Sequence, residues 1–487
     1  MPFSSLIRVF ALAFCSVSVL SSASAQNPRP NILFAIADDW GWPHAGAYGD
    51  PIVQTPHFDR VAREGLLFHH AYVSAPSCTP SRSAILTGQW HWRLEEAANL
   101  WSTLQTKFPN YTVLLEESGY HTGKTRKGWG PGNFRPGGYS RDPAGTNYRS
   151  FRAFLDARPP DAPFCFWLGS SDPHRPYEEN SGRASGIDPS RVLVPPFLPD
   201  TPIVRNDLCD YYFEVQRFDR DLGAALTLLE ERGELDRTLI VVAGDHGMPF
   251  PRCKSNLYDY GVRVPLAIRW GDRFRGPRES TTFVSLTDLA PTFLSAVGLL
   301  IPDSMTGRPL LPLLKSPGAD PPVVHRPFVL TGKERHVPSQ ERGNPGGYPM
   351  RAIRTHDFLY IRNFKPDRWP NGIADDENSF DGWAFSDCDN GPTKSEILSG
   401  KDSGAGKRSF DWCFGKRPAE ELYDLRSDPD QLDNVAADPA YAAPRKELAE
   451  RLMRELVLSD DPRVLGRGDR FESFPYKGIF GNSPPAR

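Results

Sequence analysis

The sequence predicts an α/β protein: a large, mixed but mostly parallel sheet flanked by helices, followed by a smaller C-terminal α+β region. Three observations carry that expectation. Asn31 to Ala37, Phe164 to Leu168 and Thr238 to Ala243 are short uninterrupted apolar runs, the pattern of strands buried on both faces. Asp207 to Arg232 places Tyr211, Val215, Phe218, Leu222, Ala225, Leu226 and Leu229 at helical spacing, and Gly233 stops it. Beyond residue 325 the pattern changes to short alternating strands and polar loops. The chain therefore divides into an export segment (1–25), a larger domain (26–325) and a C-terminal subdomain (326–487).

The elements follow in order. Arg8, the apolar run Val9 to Leu20 and the small-residue site Ala23-Ser24-Ala25 read as a cleavable signal, too short to span a bilayer. The mature chain is expected to begin at Gln26 and to be periplasmic or secreted. No second long apolar run follows, so no membrane partner is expected. With 57 basic against 60 acidic residues, no nucleic-acid footprint is expected either. The first strand delivers Asp38 and Asp39 to its C-terminal tip, where open α/β sheets place their ligands. Adjacent carboxylates there need a neutralising cation, and a hard divalent ion suits oxygen donors. The other reading is a pair of turn acids capping Trp40-Gly41.

Thr55 and Pro56 open a short helix ending at Glu64, and Leu66 to Val73 reads as a strand. Next comes Cys78-Thr79-Pro80-Ser81-Arg82, continuing to Leu86-Thr87-Gly88. Pro80 fixes φ near a helix start, and Arg82 falls one turn beyond the sulfur. A nucleophile and a cation then share a helix N-terminus, where an oxyanion is stabilised. Otherwise Cys78 would be half a disulfide or a buried filler. Thr112 to Glu117 is a helix ending at Gly119. Lys124 to Gly132 is a cationic, glycine-rich loop suited to an anion, or else a solvated basic turn. The second apolar strand leads to Asp172-Pro173-His174-Arg175. The third ends in Gly244-Asp245-His246-Gly247, a second ligand-bearing tip. Met350 to Asn363 alternates like a hairpin, Asp375 to Asp411 is a polar insertion placed to line a cleft, and Ala442 to Leu456 is a last amphipathic helix. Among the cysteines, Cys388 and Cys413 flank one polar segment and are the expected disulfide. The pairing of Cys165, Cys209 and Cys253 is left open.

C-T-P-S-R followed by L-T-G resembles the signature of the type I sulfatases, of the alkaline phosphatase-like superfamily. The resemblance runs from Arg29 to Val457. It implies that Cys78 is oxidised before folding to formylglycine by a maturation enzyme, and that one Ca²⁺ is held by Asp38, Asp39, Cys78, Asp245 and His246. It implies sulfate contacts from Arg82, Lys127 and Lys254, and a proton from His174 to the leaving atom. One departure is visible: Trp129 stands where the family's lysine loop carries a histidine. Val192 to Pro195, Pro199 to Pro202 and Met248 to Pro251 are similar to the heparan N-sulfatases (N-sulfoglucosamine sulfohydrolases). The expected substrate is a sulfated saccharide bearing N-sulfoglucosamine, with Trp129 stacking on the sugar and Arg175 engaging an anion. The alternatives are an O-sulfatase on another sulfated polysaccharide, a phosphonate or phosphodiester hydrolase, and an inactive glycan binder, which Trp129 would favour.

Overall fold

The computed structural model describes Met1 and residues 29–316, 325–341, 343–344, 346–379 and 382–477. The export segment read in residues 1–25 lies outside them, Met1 apart. Thirteen strands are present among the described residues: β1 (Asn31–Ala37), β2 (Leu66–Phe68), β3 (Ala71–Tyr72), β4 (His121–Thr125), β5 (Phe164–Gly169), β6 (Thr238–Gly244), β7 (Leu266–Arg269), β8 (Arg278–Ser280), β9 (Val284–Ser285), β10 (Val329–Lys333), β11 (Met350–Arg354), β12 (Phe358–Asn363) and β13 (Glu420–Asp424). Seven form one sheet in the order β4-β5-β1-β6-β7-β2-β8. Its central pairs β4–β5, β5–β1 and β1–β6 are parallel, whereas β7 runs antiparallel to both β6 and β2.

The apolar runs explain the centre of this sheet. Side chains alternate across a strand, so Ile32, Phe34 and Ile36 enter one core while Leu33, Ala35 and Ala37 enter the other. Both faces are therefore covered. On the second face lies the helix Pro202–Glu231, which buries Leu208, Val215, Phe218, Leu222 and Leu229. It begins five residues before the expected Asp207. Thr201 caps it by accepting the Val204 amide, and Pro202 takes the first position, so an N-terminal signal outweighs the polar stretch Arg205-Asn206. The expected strand Leu66 to Val73 is also revised. It breaks at His69-His70 into β2, which stays in the large sheet, and β3, which pairs with β9.

The small sheet β10-β11-β12-β13 is antiparallel throughout. The helix Ala442–Leu458 packs Leu448, Leu452 and Leu456 against Ile353, Tyr360 and Leu422 of this sheet. The polar insertion carries the helix Pro392–Ser399 and most of the helix Gly404–Phe414. No disulfide joins its ends. The Cys388 thiol is turned to the Asp389 carbonyl and the Cys413 thiol to the Phe197 carbonyl, and both are free and buried. Among the described residues, no helix is long and apolar enough to cross a membrane.

Candidate active site

The register of β1 and β6 builds the site. Ala37 pairs with Gly244, so Asp38-Asp39 and Asp245-His246 leave neighbouring strand tips side by side. Asp39 takes a left-handed backbone, φ 72°, which turns its amide onto Asp245 Oδ1 at 2.9 Å. Cys78 is the first residue of a helix, Cys78–Thr87, in which every residue is buried. Its sulfur reaches Asp38 Oδ1 (3.7 Å), His246 Nε2 (3.3 Å) and Lys127 Nζ (3.2 Å). Four elements remote in sequence thus meet at one sulfur.

Charge is arranged around it in pairs. Lys127 Nζ bridges both oxygens of Asp38 at 2.6 and 2.5 Å. Arg82, one turn along the helix, donates from Nε to Asp245 Oδ2 (2.7 Å), from Nη2 to Asp38 (3.3 Å) and from Nη1 to the Gly128 carbonyl (2.8 Å). Arg82 is fully buried and therefore acts from behind, fixing the two acids and the lysine loop. Burial alone would raise the Asp245 carboxyl, but Arg82, His246 and Lys127 hold it far below the usual carboxylate range. Burial would likewise strip Lys254 of its proton, and Asp389 with Asp39 more than offsets this, keeping it firmly protonated. The Cys78 thiol behaves oppositely: burial pushes it well up against the pull of Lys127.

A cation fits these residues. His246 Nδ1–H donates to the Gly247 carbonyl at 3.1 Å, which turns Nε2 toward Asp39 Oδ1, also 3.1 Å away. Asp39 Oδ1 is buried with no hydrogen-bond partner. Donor atoms of Asp38, Asp39, Cys78 and His246 all lie within 4.8 Å of one another. Asp245, expected among the ligands, stands beside this group with its oxygens committed to the Asp39 amide and Arg82.

A cavity of about 730 Å³ opens over the sulfur, lined by Asp38, Lys127, His174, Lys254 and Asp389 among others. His174 donates from Nδ1 to the Arg175 carbonyl and places Nε2 3.9 Å from Asp39 Oδ2. Asp389 was not anticipated. It comes from the insertion, binds Lys254 Nζ at 2.8 Å, and has an oxygen within 4.8 Å of the His174 ring nitrogen. The only signal for it was the polarity of the insertion, which many other acids share.

Two expected substrate contacts are corrected. Trp129 is 1% exposed, donates its indole N–H to Ser83 Oγ at 2.7 Å and packs near Phe134, so neither face is open to a sugar. The indole fills the space behind the nucleophile helix. Arg175 lines the cavity, but its guanidinium is taken up by a bidentate pair with Asp207 (2.8 and 2.7 Å) and by the Pro249 carbonyl. The same Asp207 accepts from the Thr393 amide and hydroxyl. Arg175 thus fastens the His174 loop to the long helix and the insertion. Trp129→Phe is expected to cost about 1–3 kcal/mol in denaturant unfolding, because the Ser83 hydroxyl loses its buried partner. KM for a sulfated saccharide should stay within about twofold of the parent, since truncation there removes no substrate contact. A several-fold rise in KM at unchanged stability would return Trp129 to the substrate surface.

A family model described as Sulfatase matches residues 30–299. The N-sulphoglucosamine sulphohydrolase of Homo sapiens is 30% identical over 506 residues, covering 93% of this chain and 94% of the relative. A solved structure in complex with its substrate D-glucosamine-2-N,6-O-disulfate is 19% identical with a TM-score of 0.61, covering 89% of this chain and 98% of that one. The phosphonate monoester hydrolase of Silicibacter pomeroyi is 19% identical with a TM-score of 0.64, covering 93% and 98%. These last two likenesses concern the fold.

Proposed function

We infer, because this chain belongs to the sulfatase family, that its cleft removes sulfate from a sulfated saccharide and that N-sulfoglucosamine is the group it acts on. The sulfatase activity on sulfated saccharides follows from the family; the N-sulfated sugar is our reading. The observation that carries the site assignment is the convergence on Cys78 of two acidic strand tips, His246 and Lys127. A thiol nucleophile needs a lowered pKa, and here burial drives it the other way among the protein's own groups. The resemblance of Cys78-Thr79-Pro80-Ser81-Arg82 to the sulfatase signature supports a modified side chain at this position. Formylglycine at position 78 would supply a hydrated aldehyde as the nucleophile toward sulfur. A divalent cation, Ca²⁺ in our reading, would be held by Asp38, Asp39, His246 and residue 78, with Asp245 beside them, and would supply positive charge to a sulfate oxygen.

The chain's own residues do the rest. Lys127 and Lys254 line the cavity as fixed cations facing the developing negative charge. Arg82 orients Asp38, Asp245 and the Lys127 loop from behind. His174 presents Nε2 to the cavity, from which a proton passes to the departing nitrogen or oxygen. A departing amine takes a proton readily, so one histidine suffices where Trp129 replaces a second. The N-sulfate reading is supported further by the identity to the human N-sulphoglucosamine sulphohydrolase. The burial of Trp129 removes the feature that favoured an inactive glycan binder. Residues 1–25 fit export, which would bring the chain to extracellular or periplasmic glycans.

Heparan-derived disaccharides carrying one N-, 2-O- or 6-O-sulfate test the substrate. We expect kcat/KM to be highest for the N-sulfated sugar. Faster release from either O-sulfated sugar would discard N-sulfoglucosamine, and preference for a phosphonate monoester would discard the saccharide.

A further inference from the structure

Trp101 stands on the wall of the same cavity, and its backbone is the unusual part. Its φ is 51°, in the left-handed region that disfavours any residue with a β-carbon. Glycine would sit there without cost, yet the sequence carries its bulkiest side chain. Strain of that kind persists only where the surroundings impose it, and it points to function when it lies at a site.

The surroundings do impose it. Lys477 donates its amide to the Trp101 carbonyl at 2.6 Å. The Tyr476 ring packs edge-on to the indole at 6.4 Å. On the other side, Ser102 bridges to Gly132 and accepts the Asn133 amide at 2.9 Å, tying the segment to the loop that carries Lys127. The indole is half-buried rather than enclosed, and no described residue accepts its N–H. Apart from two histidines, it is the only aromatic side chain on the described cavity wall, which is otherwise dominated by charge around the sulfur.

We propose that Trp101 is the saccharide platform of the cleft: a pyranose ring lays its C–H face on the indole while its sulfate reaches Cys78 and the two lysines. A pyranose is amphipathic, with hydroxyls at its rim and C–H groups on its faces. The charged side chains can receive the rim and the sulfate, but a C–H face needs an apolar plane, and the indole supplies it. The indole N–H, left without a described partner, is available to a ring hydroxyl. Trp101 thus takes the role that the sequence pattern assigned to Trp129. This rests on the sulfated-saccharide reading.

The test uses Trp101→Gly, which relieves the backbone and removes the ring, with Trp101→Asn as a second variant tolerating the same φ and Trp101→Phe as the conservative one. Each is assayed on the preferred sulfated disaccharide, with inorganic sulfate as a competitive inhibitor that has no sugar. We expect KM to rise about tenfold in the Gly and Asn variants, with kcat within about threefold, an unchanged sulfate inhibition constant and most of the loss recovered by phenylalanine. KM within twofold of the parent, or KM and the sulfate constant rising together, would overturn the platform. Calorimetric binding of the disaccharide to Cys78→Ala protein, with and without Trp101→Gly, separates the two claims. Trp101-dependent binding without any turnover by the parent would sink the hydrolytic reading and keep the platform. Disaccharide binding that ignores Trp101, or no binding at all, would sink the platform.

Discussion

Cys78→Ala should reduce kcat by about 10⁵-fold or more while leaving a folded protein. The expected loss is this large because the proposed reaction begins with attack by residue 78, where alanine has no nucleophilic atom. Around the sulfur stand Asp38, His246 and Lys127, each already engaged with another charged group or the backbone. The fold should survive because alanine suits the first turn of a helix, and because the Cys78–Thr87 helix is fastened by other contacts. Arg82 holds Asp245, the Ser83 hydroxyl receives the Trp129 indole, and Ile85 and Leu86 sit in the core. Circular dichroism and thermal melting establish folding, and turnover of the N-sulfated disaccharide measures the loss. More than trace activity in a folded variant would remove position 78 from the chemistry. A mass spectrum of the peptide containing Cys78 adds an independent check, since formylglycine and cysteine differ in mass.

Removal of the divalent cation should abolish turnover without unfolding the chain. Four carboxylates meet at the site, those of Asp38, Asp39, Asp245 and Asp389, and three of their partners are permanent cations: Arg82, Lys127 and Lys254. The cation-free site is therefore largely compensated by the protein itself and stays assembled. What remains is Asp39 Oδ1, buried without a hydrogen-bond partner and 3.1 Å from His246 Nε2, where a cation would be held. Ca²⁺ at about a thousand times its Kd would add about 4 kcal/mol to the stability of the chelated protein, read as a rise in Tm. Asp39→Asn should weaken that response by at least about tenfold in Ca²⁺ concentration, since it removes a charge and a ligand together. A Tm that ignores Ca²⁺ in both parent and variant would refute the site.

Much of this site was legible in the sequence because it lies at strand tips. An apolar run followed by acids marks a buried strand that delivers them to its tip, and both Asp38-Asp39 and Asp245-His246 carried that pattern. Arg82 was legible for a similar reason, being one helical turn from Cys78. Asp389 was not, because its position depends on how a long insertion folds over the cleft, and nothing local distinguishes it from its neighbours. The two tryptophans show the same limit. Side-chain type suggested that one would stack on a sugar, but whether an indole faces a cavity or a core is decided by backbone angles and remote packing. Trp129 turned to Ser83, while Trp101, at a left-handed φ, lines the cavity. The disulfide expected between Cys388 and Cys413 failed likewise: proximity in a segment says nothing about where two thiols point.

The burial of the entire nucleophile helix also has a meaning in time. On the proposed function a small sulfated sugar would reach the sulfur through the cleft, but a protein catalyst could not, since Cys78 is only 2% exposed and every residue of its helix is buried. If Cys78 is converted as proposed, the enzyme that remodels it would have to meet the chain before it folds. The specific activity of a preparation would then be a record of its synthesis, counting the chains processed before collapse. Added calcium, longer incubation or later exposure to the maturation enzyme would leave the unprocessed fraction as it was, and only unfolding would give those molecules a second chance.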